Sequence, residues 1–502
     1  MNFPRTSGVL LHPTCLPGPF GIGDMGKSAY EFVDFLAETG QGVWQLMPLG
    51  PTGFGDSPYS CFSAFAGNPL LIDPQMLHEQ NLLSSSDLEG APSFPADRVD
   101  YGRVIPFKSS LLEKAFATFE RDAGAEEKNA WEEFCRNNAS WLDDYALFMA
   151  LKQTRESAWI EWEPDLVKRK PKAVEKASRD LDPLCRAHKF YQYLFFNQWK
   201  ALKHYANRKG VRIIGDIPVF VAYDSVEVWA NPHLFYLDKN HRPTVVAGVP
   251  PDYFSKTGQL WGNPLYRWDV MEKEGFSWWL SRFRMNLVLV DVIRLDHFRG
   301  FESYWEVPAT DDTAVNGHWV KAPGEKLFQT LRTELGEVPI IAEDLGLITP
   351  EVEELRDAFG FPGMKVLQFA FAEGPENPYL PHNYSPNCVV YTGTHDNDTS
   401  LGWYRATSSE KERDYLRRYM ASDGSEIHWD LIRLAFSSVA HTAVIPLQDI
   451  LGLGGEARMN FPGKPSGNWQ WRYTPDQLSQ EVRGRLGEMT RVYGRQAKQA
   501  GS

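Results

Sequence analysis

Short runs of Val, Ile and Leu with no in-and-out alternation recur along this chain, and several of them stop at a carboxylate. Residues 287–293 lead into Arg294-Leu295-Asp296-His297-Phe298-Arg299-Gly300, residues 338–341 into Ala342-Glu343-Asp344-Leu345-Gly346, and residues 389–391 into Thr394-His395-Asp396-Asn397-Asp398. Continuous apolar runs mark strands buried on both faces, as in a parallel sheet covered by helices. Similar runs at 43–49, 70–72, 211–217, 364–370 and 443–447 raise the expected strands to eight. That pattern predicts an α/β fold, a (β/α)8 TIM barrel, in which the carboxyl ends of the strands meet at the catalytic mouth.

By length alone, 502 residues correspond to about three domains, yet barrels with insertions reach this size as one unit. A single catalytic barrel over residues 1–502 is therefore expected, interrupted twice. Residues 99–207 place Leu, Phe and Trp at helical spacing among Lys, Glu and Arg, which predicts a mostly helical insertion. Residues 229–268 are dense in Pro, Gly and aromatics, including Pro250-Pro251-Asp252-Tyr253-Phe254 and Leu260-Trp261-Gly262-Asn263-Pro264. This stretch is too long and too aromatic for a plain solvent loop and reads as an irregular insertion at the active site. The turn-rich Gly50 to Tyr59 segment, following the run at 43–49, lies on the same side of the barrel.

A net charge of −13 with no Lys/Arg-rich block argues against nucleic acid or a membrane as partner and leaves neutral substrates open. The five cysteines are odd in number and form no C-x-x-C pair, which suits reduced thiols in a cytosol-like compartment. Neither a leader nor a membrane-length apolar run is visible, so a cytoplasmic location is expected, or a plastid stroma if a transit peptide has been removed. No metal is expected, because the run from Asp396 departs from an EF-hand loop at Ser400 and Leu401. Gly452-Leu453-Gly454-Gly455-Glu456-Ala457 superficially matches a dinucleotide-binding turn, but Pro462 and Gly463 interrupt the helix it would need. No cofactor is expected.

Two or three carboxylates in one cleft suit glycoside chemistry, where one attacks or stabilises and another delivers a proton. Arg294 and Asp296, two residues apart on a strand, share one face. A guanidinium there would keep Asp296 ionised and oriented, as a nucleophile requires, although a purely structural pair fits the spacing equally well. Glu343, facing Asp296 across an apolar cleft, would have a raised pKa and serve as general acid; taken alone, it fits a surface ion pair. His395 offers either a hydrogen bond to a sugar hydroxyl or a scaffold contact. Tyr59, Tyr253, Phe254 and Trp261 fall in the inferred mouth loops, and their flat faces match the C–H faces of sugar rings.

Six segments in order carry a more specific signal: Gly55-Asp56-Ser57-Pro58-Tyr59, Gly215-Asp216-Ile217-Pro218, Gly248-Val249-Pro250-Pro251-Asp252, and the three acidic motifs above. With them the chain closely resembles the amylomaltase or disproportionating-enzyme family, the 4-α-glucanotransferases of the α-amylase superfamily, over nearly its full length. The resemblance implies that Asp296 is a nucleophile forming a covalent β-glucosyl-enzyme, Glu343 the acid/base, and Asp396 a carboxylate that steadies the distorted sugar through its 2- and 3-hydroxyls. Arg294, His395 and Asp216 would line or support that sugar, Tyr59 would stack beneath it, and Ser57 would join the substrate-binding residues. Broader α-amylases usually carry a histidine soon after the residue matching Asp216, whereas Val219-Phe220-Val221-Ala222 has none, as in the glucanotransferase branch. No separate starch-binding module is expected.

The implied activity is cleavage of an α-1,4 bond in maltooligosaccharides or other α-1,4-glucans and transfer of the glucanyl unit to the 4-hydroxyl of another glucan or glucose. The two carboxyl groups should lie roughly 5 to 5.5 Å apart, as in retaining enzymes. Tyr253 and Phe254 are expected to pack over the acceptor as a lid. An α-glucan hydrolase shares the same intermediate, and a catalytically silent glucan-binding barrel is the rival of another class, disfavoured by the intact Asp296, Glu343 and Asp396.

Overall fold

The computed structural model describes residues 4–251, 255–464 and 466–497. Its strands are β1 (Thr6–Leu10), β2 (Val43–Gln45), β3 (Arg212–Ile217), β4 (Val245–Val249), β5 (Gln259–Pro264), β6 (Val292–Leu295), β7 (Ser303–Pro308), β8 (His318–Lys321), β9 (Ile340–Ala342), β10 (Gly363–Val366), β11 (Cys388–Tyr391) and β12 (Thr442–Pro446). Eight of them form one sheet in the order β10-β11-β12-β1-β2-β3-β6-β9, with every paired neighbour parallel. The Ala342 amide donates to the Pro362 carbonyl at 2.9 Å and draws the outer strands β9 and β10 together into a nearly closed TIM barrel. The strands are short and almost wholly buried, with helices outside and packed side chains within, which explains why their sequences do not alternate.

Two expected strands differ from the structure. Residues 70–72 are not a strand: Pro69–Leu71 is a single 3₁₀ turn, opened by Asn68, whose side chain accepts from the Leu70 amide at 3.0 Å. Pro69 supplies no backbone donor for a ladder. The eighth strand is instead β1, whose sequence Thr-Ser-Gly-Val-Leu has too few branched residues to stand out. Its glycine is required by the packing, since a Cβ on Gly8 would lie 2.3 Å from the Val43 carbonyl oxygen. Gly8→Ala should destabilise the fold by about 3 kcal/mol or more, read as a lower midpoint of urea unfolding. In the 287–293 run, the first three residues end the helix Ser277–Leu289, and only its last two enter β6.

Between β2 and β3 the long helices Tyr101–Asp122, Ala125–Arg155 and Asp182–Arg208 pack together around an aromatic cluster in which the Phe119 and Phe190 rings lie 4.4 Å apart. The last of these helices fixes the chain that follows the Tyr59 loop. Gln192 bonds both the amide and the carbonyl of Gly67, at 2.8 and 2.9 Å, and Gln198 accepts from the Asp73 amide at 2.8 Å. Strands β4, β5, β7 and β8 form a separate antiparallel sheet in the order β5-β4-β7-β8, so the aromatic stretch read as irregular contributes two regular strands to a platform beside the barrel. Among the described residues no helix is long and apolar enough to cross a membrane.

Candidate active site

The site is assembled by extending the barrel ladder one residue beyond its strands. The Asp296 amide donates to the Ile217 carbonyl at 3.0 Å, and the Glu343 amide donates to the Leu295 carbonyl at 3.0 Å. These bonds hold three adjacent strand ends, those of β3, β6 and β9, in register while freeing the Asp296 and Glu343 side chains to face the mouth. In the β3–β6 pairing Asp216 is opposite Arg294, and the two side chains meet: Arg294 Nη1 lies 2.5 Å from Asp216 Oδ2 and 3.0 Å from Asp296 Oδ1. One buried guanidinium therefore clamps both carboxylates. Tyr59 reaches in from the loop after β2, and its hydroxyl donates to Asp216 Oδ2 at 2.7 Å.

Burial opposes the Arg294 charge, but Asp216 and Asp296 outweigh it and hold the guanidinium protonated well beyond its ordinary range. Burial pushes the Asp216 carboxyl up to about 6, against the pull of Arg294. Asp296 is the most open of the three, with its side chain 27% exposed where Arg294 and Asp216 are nearly sealed. It presents a carboxylate toward the mouth while Arg294 fixes the other side.

Glu343 has different surroundings. Its two oxygens accept backbone bonds, Oε2 from the His297 amide at 2.6 Å and Oε1 from the Leu345 amide at 3.0 Å. Burial nevertheless pushes the carboxyl well above the usual range, the Asp296 charge adds to that push, and Arg294 and the His297 amide only partly offset it. The two carboxyl groups of one mouth thus have different environments, Glu343 sealed and Asp296 partly open. His297 supplies its amide because it adopts a left-handed backbone, φ 49°, a conformation that costs a non-glycine residue about 1 kcal/mol. The edge-on contact between the Trp261 and His297 rings, 4.8 Å between centroids, packs against this turn.

The neighbouring Asp344 points away from the mouth. Its Oδ2 meets Arg356 Nη1 at 2.5 Å and its Oδ1 accepts from the Met364 amide at 2.7 Å, so it buttresses β10 from behind. Asp344→Asn should lower stability by about 3 kcal/mol, as for a broken buried pair, while the transfer rate of the folded fraction stays within about twofold. Unfolding and initial-rate measurements on the same preparation check this, and they separate Asp344 from Glu343.

His395 and Asp396 follow β11. The His395 ring stacks on Tyr59 with centroids 5.0 Å apart and planes 18° from parallel, and Trp469 packs against both rings at 5.8 Å. His395 Nε2 lies 3.5 Å from Asp396 Oδ2, and Asn460 donates to Asp396 Oδ1 at 2.7 Å. The other polar residues of this loop turn inward: Asn397 accepts from the Thr394 amide and hydroxyl, and Asp398 from the Thr399 amide. Among the described residues, no group of three or more His, Cys, Asp or Glu side chains is placed to hold a metal ion.

Asp216, Arg294, Asp296 and Tyr59 thus form one contact network, joined through the Tyr59 ring by His395 and Asp396, with Glu343 coupled to it by charge and fastened to the His297 amide. Trp261 stands on the rim of β5, partly exposed, and reaches the network through His297. Ser57 turns back on its own loop, its hydroxyl accepting from the Tyr59 amide at 3.2 Å. Tyr253 and Phe254 lie outside the described residues. The sequence reading did not single out His297, Asn460 or Trp469. Adjacency to Asp296 was available as a signal for His297, whereas Asn460 and Trp469 come from an irregular segment with no pattern of its own.

Residues 11–478 match the family model described as 4-alpha-glucanotransferase. The 4-alpha-glucanotransferase of Thermus thermophilus is 56% identical over 498 residues, covering 97% of this chain and 99% of that protein. The 4-alpha-glucanotransferase of Synechocystis is 52% identical, with 98% of each chain covered. Among solved structures, the amylomaltase from Streptococcus agalactiae in complex with acarbose superposes with a TM-score of 0.95 at 41% identity, covering 98% of this chain and all of that one. Full-length matches at these identities, on a barrel of the same architecture, establish that the chain belongs to the 4-alpha-glucanotransferase family.

Proposed function

We propose that this chain disproportionates α-1,4-glucans by a retaining double displacement. Asp296 attacks the anomeric carbon of the donor while Glu343 protonates the departing glycosidic oxygen, leaving a β-glucosyl ester on Asp296. Glu343, now a carboxylate, then takes the proton from the 4-hydroxyl of an acceptor glucan as that oxygen displaces Asp296, and two inversions restore the α configuration. Asp396 holds the 2- and 3-hydroxyls of the distorted sugar, with His395 beside it and Tyr59 stacked below. The observation that carries this reading is the asymmetry between the carboxyl groups: Asp296 is clamped by Arg294 at 3.0 Å, and Glu343 is buried with its proton favoured.

Incubation with pure maltotriose tests it. Transfer redistributes chain lengths at constant reducing ends; a rise in reducing ends matching the bonds cleaved would make the protein a hydrolase instead. An acceptor outcompetes water only when it is held in position at a shielded mouth, and we assign that task to Tyr253 and Phe254. Replacing both with Ala should raise the ratio of hydrolysis to transfer by about tenfold. An unchanged ratio would place acceptor binding elsewhere.

A further inference from the structure

A cavity of about 50 Å³ lies beside the Tyr59 loop, lined by Tyr59, Cys61, Ser63, Asp216, Glu227 and Arg282 among others. Glu227 and Arg282 are charged and each only 3% exposed, and the chemistry described above uses neither. Glu227 Oε1 is fully engaged with the loop base, accepting from the Ala64 amide at 2.8 Å and the Ser63 hydroxyl at 3.0 Å. Ser63 Oγ in turn accepts from the Phe65 and Ala66 amides, and the Val226 amide donates to the Phe62 carbonyl at 2.9 Å. The short helix bearing Glu227 thus fastens the returning limb of the loop, while Thr52 pairs with Cys61 to close its two limbs. Tyr59 sits on that returning limb, two residues before Cys61.

The other side of this anchor is only partly paired. Glu227 Oε2, Arg282 Nε and Arg282 Nη1 are buried and meet no hydrogen-bond partner; the guanidinium is hydrogen-bonded to the Tyr266 side chain, which attracts it most, and is attracted next by Glu227. The guanidinium is held by the Trp278 and Trp279 rings, 5.4 and 5.0 Å from their centroids. A buried charge left without a partner is strongly unfavourable, and a polar cavity of this size has room for about three waters with several groups to bond. We propose that Glu227 is a positioning residue for Tyr59, held in place by a water-bridged ion pair with Arg282 across this cavity. The bridge runs from Arg282 through water to Glu227, through Ser63 and Ala64 to the loop, and through the Tyr59 hydroxyl to Asp216 and the Arg294 clamp. This assignment rests on the proposed function, since its effect is read as transfer.

A double-mutant cycle tests it, with maltotriose as substrate. Wild type and Tyr59→Ala are assayed first for redistributed oligosaccharides; absence of transfer in wild type counts against the function, whereas loss of coupling in an active protein counts against this inference alone. Glu227→Ala should lower kcat/KM about tenfold, and Glu227→Gln, which keeps the loop bonds, about threefold. In the Tyr59→Ala background Glu227→Ala should cost less than about twofold, because the residue it positions is gone. An equal factor in both backgrounds, or no loss in wild type, overturns the proposal. If Glu227→Ala does not fold, Arg282→Met asks the same question: it should cost several-fold only where Tyr59 is present, with Arg282→Lys restoring the rate, and equal costs in both backgrounds overturn it. A crystal structure should place ordered water within bonding distance of Glu227 Oε2 and Arg282 together; a direct ion pair or a dry cavity there overturns the bridge.

Discussion

Asp296→Asn should slow transfer from maltotriose by at least about 10⁴-fold and leave oligosaccharide affinity within about threefold of wild type. An amide nitrogen or oxygen at this position is too weak a nucleophile to displace a sugar alkoxide, so the first bond to the enzyme never forms. The substitution is otherwise mild. The amide oxygen can still accept from Arg294, and Asp216, 2.5 Å from the same guanidinium, continues to neutralise it, so no buried charge is stranded. A kcat collapse with an unchanged unfolding midpoint and an unchanged calorimetric affinity would locate the loss in the chemical step. Near wild-type transfer by a preparation free of contaminating enzyme would remove Asp296 from the nucleophile's role.

How much of this was legible in the residues depends on the range of the interactions involved. The pairing of Arg294 with Asp296 follows from two-residue periodicity on a strand, a purely local fact, and the apolar runs before the three acidic motifs report burial on two faces. Strand β1 escaped notice because its identity as a strand comes from its neighbours: Gly8 is there to let Val43 approach, which is a property of the pair and not of either segment. The run at 70–72 failed for the opposite reason, since Leu and Ile in a buried 3₁₀ turn look like a short strand until Pro69 and the Asn68 cap are weighed. Asp216 was assigned through resemblance, yet its physical role, sharing one guanidinium with Asp296, appears only in the β3–β6 register. The small antiparallel sheet was hidden by the same Pro, Gly and aromatic content that suggested an irregular loop. Its strand β4 pairs with β7, which comes with its own partner β8 from beyond the Asp296 segment, and β4 and β5 meet with a shifted register.

Glu343→Gln should slow transfer from maltodextrins by about 10³-fold, and an α-glucosyl fluoride donor should recover much of the first step. The departing 4-oxygen of a glucan is a poor leaving group and needs a proton as the bond breaks; fluoride leaves unaided. Glutamine can still accept the His297 or Leu345 amide through its oxygen, so the turn after Asp296 stays in place and the loss belongs to the missing proton. The glycosyl-enzyme should then accumulate on Asp296, because Glu343 is also the base that activates the acceptor, and mass spectrometry of the intact protein would show the added glucosyl unit. The pH dependence carries the same assignment. Burial and the Asp296 charge raise the Glu343 carboxyl, so the free enzyme keeps the required proton to higher pH than an ordinary carboxyl would, and kcat/KM falls as pH rises through that elevated pKa. In Glu343→Gln, assayed with the fluoride donor, this basic limb should disappear. A limb that persists unchanged in the variant would assign the proton to another group, and an absence of trapped glycosyl-enzyme would show that Glu343 is not the residue that gives it.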